Sequence, residues 1–152
     1  MADPAIGRGI VLASLAGTVA LLVTAVAADL APHPFDVPAL VVALLMFVGG
    51  TVAFVWAYVV AIGRSRTDEV TLLGVFGLVD STPGPVKLRL FGSLAAEVVT
   101  ALATASVRLY STLSFGVLAV MWGLGLAGAW GARYGAFPPR KPEPPRRRRK
   151  SD

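Results

Sequence analysis

The residue whose type and position carry the most chemical information is Glu97, the single acid within the apolar run 90–107. On a helix, Ser93, Glu97, Thr100, Thr104 and Arg108 recur at spacings of three and four residues and lie within an arc of about 80°. A charged carboxylate near the middle of a bilayer costs several kcal/mol, so it is usually protonated, paired or functional. The spacing therefore predicts an intramembrane polar site made of Glu97, Thr100, Thr104 and Arg108.

This polar stripe is compatible with three roles. Glu97 can hydrogen-bond to Ser and Thr of neighbouring helices, contact a partner helix, or bind a proton or cation. Arg108 does not pair with it in the same helix, because eleven residues separate the two by about 16 Å. Proton-driven transporters normally use more than one ionisable group along a path, and this chain offers one. An internal hydrogen-bonding role is therefore favoured over ion coupling.

The sequence lacks the residues that metal, cofactor and catalytic sites require. The chain has no cysteine, which removes thiolate zinc sites, iron–sulfur clusters and cysteine nucleophiles, and it has a single histidine, His33. It contains no nucleophile-elbow, metalloprotease, dinucleotide-binding or phosphate-loop motif in a suitable context. We therefore expect no catalytic residue, no metal site and no cofactor.

The composition indicates an integral membrane protein. Of the 152 residues, 55% are hydrophobic and only 15% are charged, and the mean hydropathy is +0.70. A soluble domain carries about 25% charged residues. Because a spanning helix needs about 20 apolar residues, the sequence predicts an all-α bundle of four transmembrane helices at about 9–30, 37–63, 90–107 and 112–133.

The distribution of charge predicts the orientation of these helices. Lys and Arg follow the second helix and the last helix, whereas the loop 29–36 has two acids and no Lys or Arg. Basic residues favour the cytoplasmic side, so both termini are expected there, in a multi-pass protein of the inner membrane. An even number of crossings must then separate the basic regions, and residues 90–132 must contain two helices. The alternative is that residues 1–27 are a cleaved signal, with Ala25-Val26-Ala27 as the cleavage site.

Loops and short segments receive simpler interpretations. Prolines at 32, 34 and 38 are expected to prevent a continuous helix between the first two spans. The apolar stretch 70–79 is too short to span, so it is expected at the interface or under the bundle. The charged segment 64–69 is interpreted as a helix end followed by an N-cap at Thr67 or Asp68.

Small residues four apart predict close helix packing, since they allow backbones to approach in lipid. The predicted packing residues lie on the second and fourth helices: Gly49, Ala53, Ala57, Ala119, Gly123, Ala127 and Gly131. The pattern leaves open whether they face other helices of the chain, a second copy or another protein.

The basic excess of the chain lies at its end. Residues 140–152 carry seven bases and two acids, and residues 138–152 are predicted to form a disordered cytoplasmic tail after a membrane domain at 1–137. The run Arg146, Arg147, Arg148, Arg149 and Lys150 is expected to contact the anionic lipid leaflet. No folded nucleic-acid-binding module accompanies it, so nucleic acid is not an expected partner.

The segments GRSRTDEV, ATASVRLYSTLSFGVL and GLAGAWGARYGAFPPR, within residues 62–140, resemble small actinobacterial integral membrane proteins of unassigned function. This resemblance implies no particular functional residue. Small four-helix multidrug transporters are similar in size and in having one membrane glutamate, but theirs lies in the first helix. The leading hypothesis is a non-catalytic accessory or assembly subunit of a larger inner-membrane complex, bound to other membrane subunits. The alternative is a small homo-oligomeric transporter or channel that uses Glu97.

Overall fold

The computed structural model describes residues 7–107 and 112–140, and within these ranges the chain is helical without a β-strand. The prediction of an all-α protein is thus confirmed. The helices are α1 (Arg8–Leu30), α2 (Pro32–Arg64), α3 (Leu72–Phe76), α4 (Gly84–Val107), a 3₁₀ helix (Thr112–Ala119) and α5 (Val120–Tyr134). Three of them are long and apolar enough to cross a membrane: α1, residues His33–Arg64 of α2, and α4.

Two helices begin earlier than the apolar runs suggested. α2 begins at Pro32 instead of 37, with a break at His33, whose backbone is non-helical (φ −94°, ψ 112°). α4 begins at Gly84 instead of 90. In both cases proline lies near the helix start, where its missing N–H would have no intrahelical partner. Proline therefore marks the start of each helix and does not exclude one.

The last predicted helix, 112–133, is divided in the structure. Residues Thr112–Ala119 form a 3₁₀ helix that passes directly into the 15-residue α-helix α5. The rise per residue of the two helix types gives the pair a combined length of about 38 Å. The predicted turn before this helix, at residues 110–112, lies largely outside the described residues.

α5 is the central element of the bundle, and it contacts α1, α2, α3 and α4. From Gly123 to Ala132 every residue except Leu124 is buried. Small residues on all sides of α5 let the neighbouring helices approach it from every direction, which suits it to the centre of the bundle.

α2 and α5 run in the same direction and approach closely. A Cβ added at Gly50 or Gly125 would collide with the backbone of the other helix. Further along, Ala61 and Ala132 are buried in one cluster. Two glycines therefore bring the two backbones into contact near the middle of α2.

The end of the bundle where α2 and α5 finish is closed by short segments. The ring of Phe76 on α3 stacks on Phe54 of α2, with 4.6 Å between ring centroids. The N-cap of α3 is Thr71, whose hydroxyl accepts from the Gly74 amide at 3.0 Å. The predicted cap at Thr67 or Asp68 is wrong, because the Asp68 carboxylate instead pairs with Arg64 at 3.1 Å.

The first residues of the predicted tail, 138–140, lie beside the segment that follows α2. The Glu69 amide donates to the Pro138 carbonyl at 2.8 Å, and the Arg140 amide donates to the Thr67 carbonyl at 2.9 Å. These backbone bonds order residues 138–140 beside 67–69. The rest of the predicted tail, including its lipid-contact residues 146–150, lies outside the described residues.

Candidate functional site

Buried polar side chains are concentrated at one place between α1 and α4. Of the five buried polar or charged side chains in the described residues, four are Ser14, Thr18, Ser93 and Glu97, with exposures of 0 to 5%. We call these four residues the polar cluster. Ser14 and Thr18 lie near the middle of α1, and Ser93 and Glu97 lie near the middle of α4.

Both carboxylate oxygens of Glu97 have donors from other helices. The Thr18 hydroxyl donates to Oε1 at 2.8 Å, and the backbone amide of Gly123 donates to Oε2 at 2.9 Å. Hydroxyls extend the network, since Ser93 Oγ lies 2.7 Å from Ser14 Oγ and also contacts Thr18 Oγ1. Glu97 thereby joins α1, α4 and α5.

The three hydroxyls of the polar cluster can form one directed chain. Each hydroxyl donates one proton, so if Thr18 donates to Glu97, Ser93 can donate to Thr18 and Ser14 to Ser93. The carboxylate is then the final acceptor. A protonated Glu97 would reverse the chain by donating to Thr18, with the Gly123 amide bond unchanged. The arrangement accommodates both forms of the carboxyl without moving a heavy atom.

Gly123 allows this contact sterically. A Cβ at this position would lie 2.6 Å from Glu97 Oε2 and 3.1 Å from the Cα of Leu94. Gly123 also lies in the first turn of α5, just after the 3₁₀ helix, where backbone donors are often shared or incompletely paired. The position therefore combines an accessible donor with room for a carboxylate.

The predicted polar site is only partly brought together. Ser93 and Glu97 belong to the polar cluster, whereas Thr100 and Thr104 do not. Their hydroxyls donate along their own helix, to the carbonyls of Ala96 at 2.8 Å and Thr100 at 2.9 Å. Arg108 lies outside the described residues.

Sequence reasoning missed the partners on α1. Ser14 and Thr18 are polar residues four apart within an apolar run, so they share a helix face. That spacing matches the spacing of Ser93 and Glu97 on α4, and this match was the available signal. Nothing in the sequence marked the Gly123 backbone amide as a hydrogen-bond donor to Glu97, although Gly123 was among the predicted packing residues.

The predicted packing residues contact other parts of the same chain. On α5, Gly123 faces Glu97, and the Cβ position of Gly131 is closed by the backbone of Val75. On α2, a Cβ at Gly49 would meet the ring of Trp122 at 2.8 Å. The remaining alanines are buried in, or pack against, the internal apolar clusters: Ala53, Ala57, Ala119 and Ala127.

Two spaces lie on one side of the polar cluster. A cavity of about 10 Å³ is lined in part by Thr24, Thr100 and Thr104. Beside it, a groove of about 310 Å³ runs between α1 and α4 as far as Asp29 and Val107. The two spaces share Ala25, Thr100 and Thr104 as walls. We call the larger space the α1–α4 groove.

The other side of the polar cluster is packed with apolar side chains. Val11, Leu78, Leu90, Ala127 and Trp130 form a buried cluster there, and Leu78 and Leu90 are fully buried. Val11 and Leu90 lie three residues from Ser14 and Ser93, about one helical turn. Open space thus lies near Glu97 toward one end of the bundle, and packed apolar side chains lie toward the other end.

Residues 7–107 and 112–140 contain no group of three or more His, Asp or Glu that could hold a metal ion. The chain matches no protein-family model, no curated protein and no solved structure.

Proposed function

We propose that this chain is a four-span protein of the inner membrane, without catalytic activity of its own, that serves as an accessory or assembly subunit of a larger membrane complex. The observation that carries the proposal is the internal use of Glu97, the one buried carboxylate in the part of the chain that the structure describes. Both Glu97 oxygens accept hydrogen bonds from this chain, which is what a structural role requires and a partner-facing role does not.

A fourth span is supported by the course of the 3₁₀ helix and α5 beside α2. Ala119 is buried with Ala43 of α2, and Ala132 is buried with Ala61. The eighteen residues of α2 between these contacts correspond to about 27 Å of helix. This is close to the thickness of the hydrocarbon core, about 30 Å.

The placement of charge supports termini in the cytoplasm. α1 and α4 run in the same direction, since Ser14 contacts Ser93 and Thr18 contacts Glu97. α2 and α5 run the opposite way, so Arg8, Arg64, Lys87 and Arg133 all lie near one end of the bundle. Asp29 and Asp36 lie near the other. An excess of bases at one end is typical of the cytoplasmic side.

The surface left for a partner is the outer face of the long helices. Because the small residues of α5 are covered by this chain, they are not free to bind another. On α2, the exposed apolar side chains recur along the whole helix, from Val41 through Val52 to Val59. Part of such a face can pack against another membrane subunit, with the rest in contact with lipid.

The test is purification of the tagged chain from its native membrane in mild detergent, followed by measurement of particle mass and composition. We expect larger membrane subunits in fixed stoichiometry. Val52→Trp, which enlarges the outer face of α2, should reduce their recovery, whereas Leu102→Trp on the outer face of α4 is the matched control. A particle that contains only copies of this chain would contradict the accessory role.

The second candidate function is a small homo-oligomeric transporter or channel that uses Glu97. The observation that favours it is the one-sided opening beside the polar cluster, where the cavity and the α1–α4 groove share walls. Glu97→Gln in proteoliposomes should then abolish proton-coupled flux with assembly intact. Unchanged flux and pH dependence would exclude this role.

A further inference from the structure

We propose that Glu97 is a proton-binding site with access from one side only, namely the end of the bundle where α1 meets α2, at residues 31–36. Protons would reach it through the α1–α4 groove and the cavity beside it. The inference rests on the membrane placement proposed above, but it does not require either the accessory or the transport role.

The first step is the position of the cavity relative to Glu97. Thr100, which lines the cavity, is three residues from Glu97 on α4, and Leu21, which also lines it, is three residues from Thr18 on α1. The cavity therefore lies about one helical turn from the Thr18–Glu97 hydrogen bond. Its volume of about 10 Å³ is close to the minimum for one water molecule.

The second step is the polarity of the cavity wall. Thr24, Thr100 and Thr104 contribute hydroxyl oxygens, each of which retains acceptor capacity after donating to a backbone carbonyl of its own helix. A water there has several polar partners, as a stably held water requires. From the cavity, the α1–α4 groove continues to Asp29, eleven residues or about 16 Å beyond Thr18 along α1. The wall of the groove is mainly apolar, and its polar residues are Thr100, Thr104 and Asp29.

The third step is the closed side. Beyond Glu97 the hydroxyls of Thr18, Ser93 and Ser14 continue the polar path by about one turn. The path ends there at the apolar cluster that contains Val11, Leu90 and Trp130. A proton has no polar carrier through that cluster, so exchange proceeds toward the end of the bundle where α1 meets α2.

The groups around Glu97 permit both protonation states. α1 presents the hydroxyls of Ser14 and Thr18, α4 presents that of Ser93, and α5 presents the Gly123 amide. Among the described residues Glu97 forms no ion pair, and Asp29 at the far end of the α1–α4 groove is the acid along the path. Within residues 7–107 and 112–140 no countercharge pairs with Glu97, and the hydroxyl chain reverses when a proton binds.

The absence of cysteine from the sequence makes the test direct. Single variants Thr100→Cys and Thr104→Cys are treated in oriented vesicles with a small charged thiol reagent that does not cross membranes. The thiolate is the reactive form, so labelling reports contact with water. We expect labelling from the side of residues 31–36 and none from the other side.

Four control variants separate the possible causes. His33→Cys and Arg66→Cys mark the two ends of α2, and their labelling from opposite sides tests the membrane placement independently. Leu102→Cys faces outward on α4 without lining the α1–α4 groove and should remain unlabelled, as should Ser93→Cys on the closed side. Failure of Thr100→Cys to react from the expected side, with both end markers labelled, would overturn the proposal.

A second measurement tests the proton itself. Infrared spectra of the wild-type protein recorded from alkaline to acidic buffer should gain a protonated-carboxyl band that is missing from Glu97→Gln. This band should shift in D2O. A band that is equally strong in Glu97→Gln, or that does not respond to D2O, would contradict proton exchange at Glu97.

Discussion

The Thr18 hydroxyl donates a hydrogen bond of 2.8 Å to Glu97 Oε1 across the interface between α1 and α4. Both side chains are almost completely buried, at 5% and 0% exposure, and both lie near the middle of their helices. Glu97 also accepts from the Gly123 amide, so this one pair belongs to a network that fixes three helices against each other. Four of the five buried polar or charged side chains in the described residues belong to this network.

The strength of the Thr18–Glu97 pair can be measured by a double-mutant cycle. Thr18→Val keeps the shape of the side chain and removes the donor, and Glu97→Met keeps a similar volume and removes both acceptor oxygens. We expect a coupling free energy of about 0.6 kcal/mol, the average for hydrogen bonds between membrane helices, and at most about 1.7 kcal/mol. The measurement is the free energy of unfolding of the four proteins in mixed micelles.

The control for this cycle is Thr100→Val, because the Thr100 hydroxyl bonds only to the carbonyl of Ala96. Its coupling to Glu97→Met should be close to zero. A coupling as large as that of Thr18 would show that the Thr18–Glu97 bond has no special role.

Gly123→Ala tests how closely α4 and α5 must approach. The added methyl would lie 2.6 Å from Glu97 Oε2 and 3.1 Å from the Leu94 backbone, so the helices must separate. Overpacking of this kind costs about 1 to 3 kcal/mol. The expected result is a lower free energy of unfolding, measured in mixed micelles.

Gly92→Ala is the matched control on α4, since a Cβ at Gly92 meets nothing within 4 Å. It should stabilise the helix by about 0.5 to 1 kcal/mol, the usual difference between Ala and Gly in a helix. Equal destabilisation by both variants would contradict the packing explanation, because the methyl added at Gly92 meets no neighbouring atom.

Much of the fold was predictable from the sequence because the apolar runs are long and the bilayer sets their length. The all-helical class and the membrane-spanning character of three helices required only that reasoning. The change from a 3₁₀ helix to α5 at residue 120 was not predictable, because residues 112–133 are almost uniformly apolar and show no periodicity that could separate the two helix types. The earlier starts of α2 and α4 were missed because proline was interpreted only as a helix breaker.

For the site, the sequence identified Glu97 and the face it shares with Ser93, because a lone acid in an apolar run is conspicuous. It did not identify Thr18, since threonine is common in membrane helices and its partner depends on how helices align. The predicted polar site also included residues that do not contact Glu97. Thr100 and Thr104 share the helix face with Glu97, but their hydroxyls are used by backbone carbonyls of α4.

The close packing of α2 on α5 can be tested by cross-linking in the natural cysteine-free background. Ala57 and Ala129 are both buried in one cluster between these helices, so a membrane-permeant oxidant such as copper phenanthroline should join Ala57→Cys to Ala129→Cys in a disulfide. In the control pair, Val59→Cys replaces Ala57→Cys, because Val59 is 61% exposed and faces outward. Equal cross-linking of both pairs would contradict the described alignment of α2 and α5.

The last prediction concerns Arg64, which connects the ends of α2 and α5. Its guanidinium donates to the carbonyls of Ala132 at 2.9 Å and Gly135 at 3.0 Å, and its carbon lies 5.1 Å from the ring centroid of Phe137. Hydrogen bonds that involve a charged group contribute about 1.5 to 3 kcal/mol. Arg64→Gln should therefore lower the free energy of unfolding by an amount in that range and accelerate amide hydrogen exchange at Gly135.

Asp68→Asn separates these backbone contacts from the ion pair with Arg64. Both side chains of the pair are about a quarter exposed, at 28% and 25%, and exposed pairs contribute about 0 to 1 kcal/mol. The Asp68 variant should thus have a small effect that disappears at high salt, whereas the effect of Arg64→Gln should persist there. If Asp68→Asn destabilises the protein as much as Arg64→Gln does, the ion pair and not the carbonyl contacts fastens α2 to the end of α5.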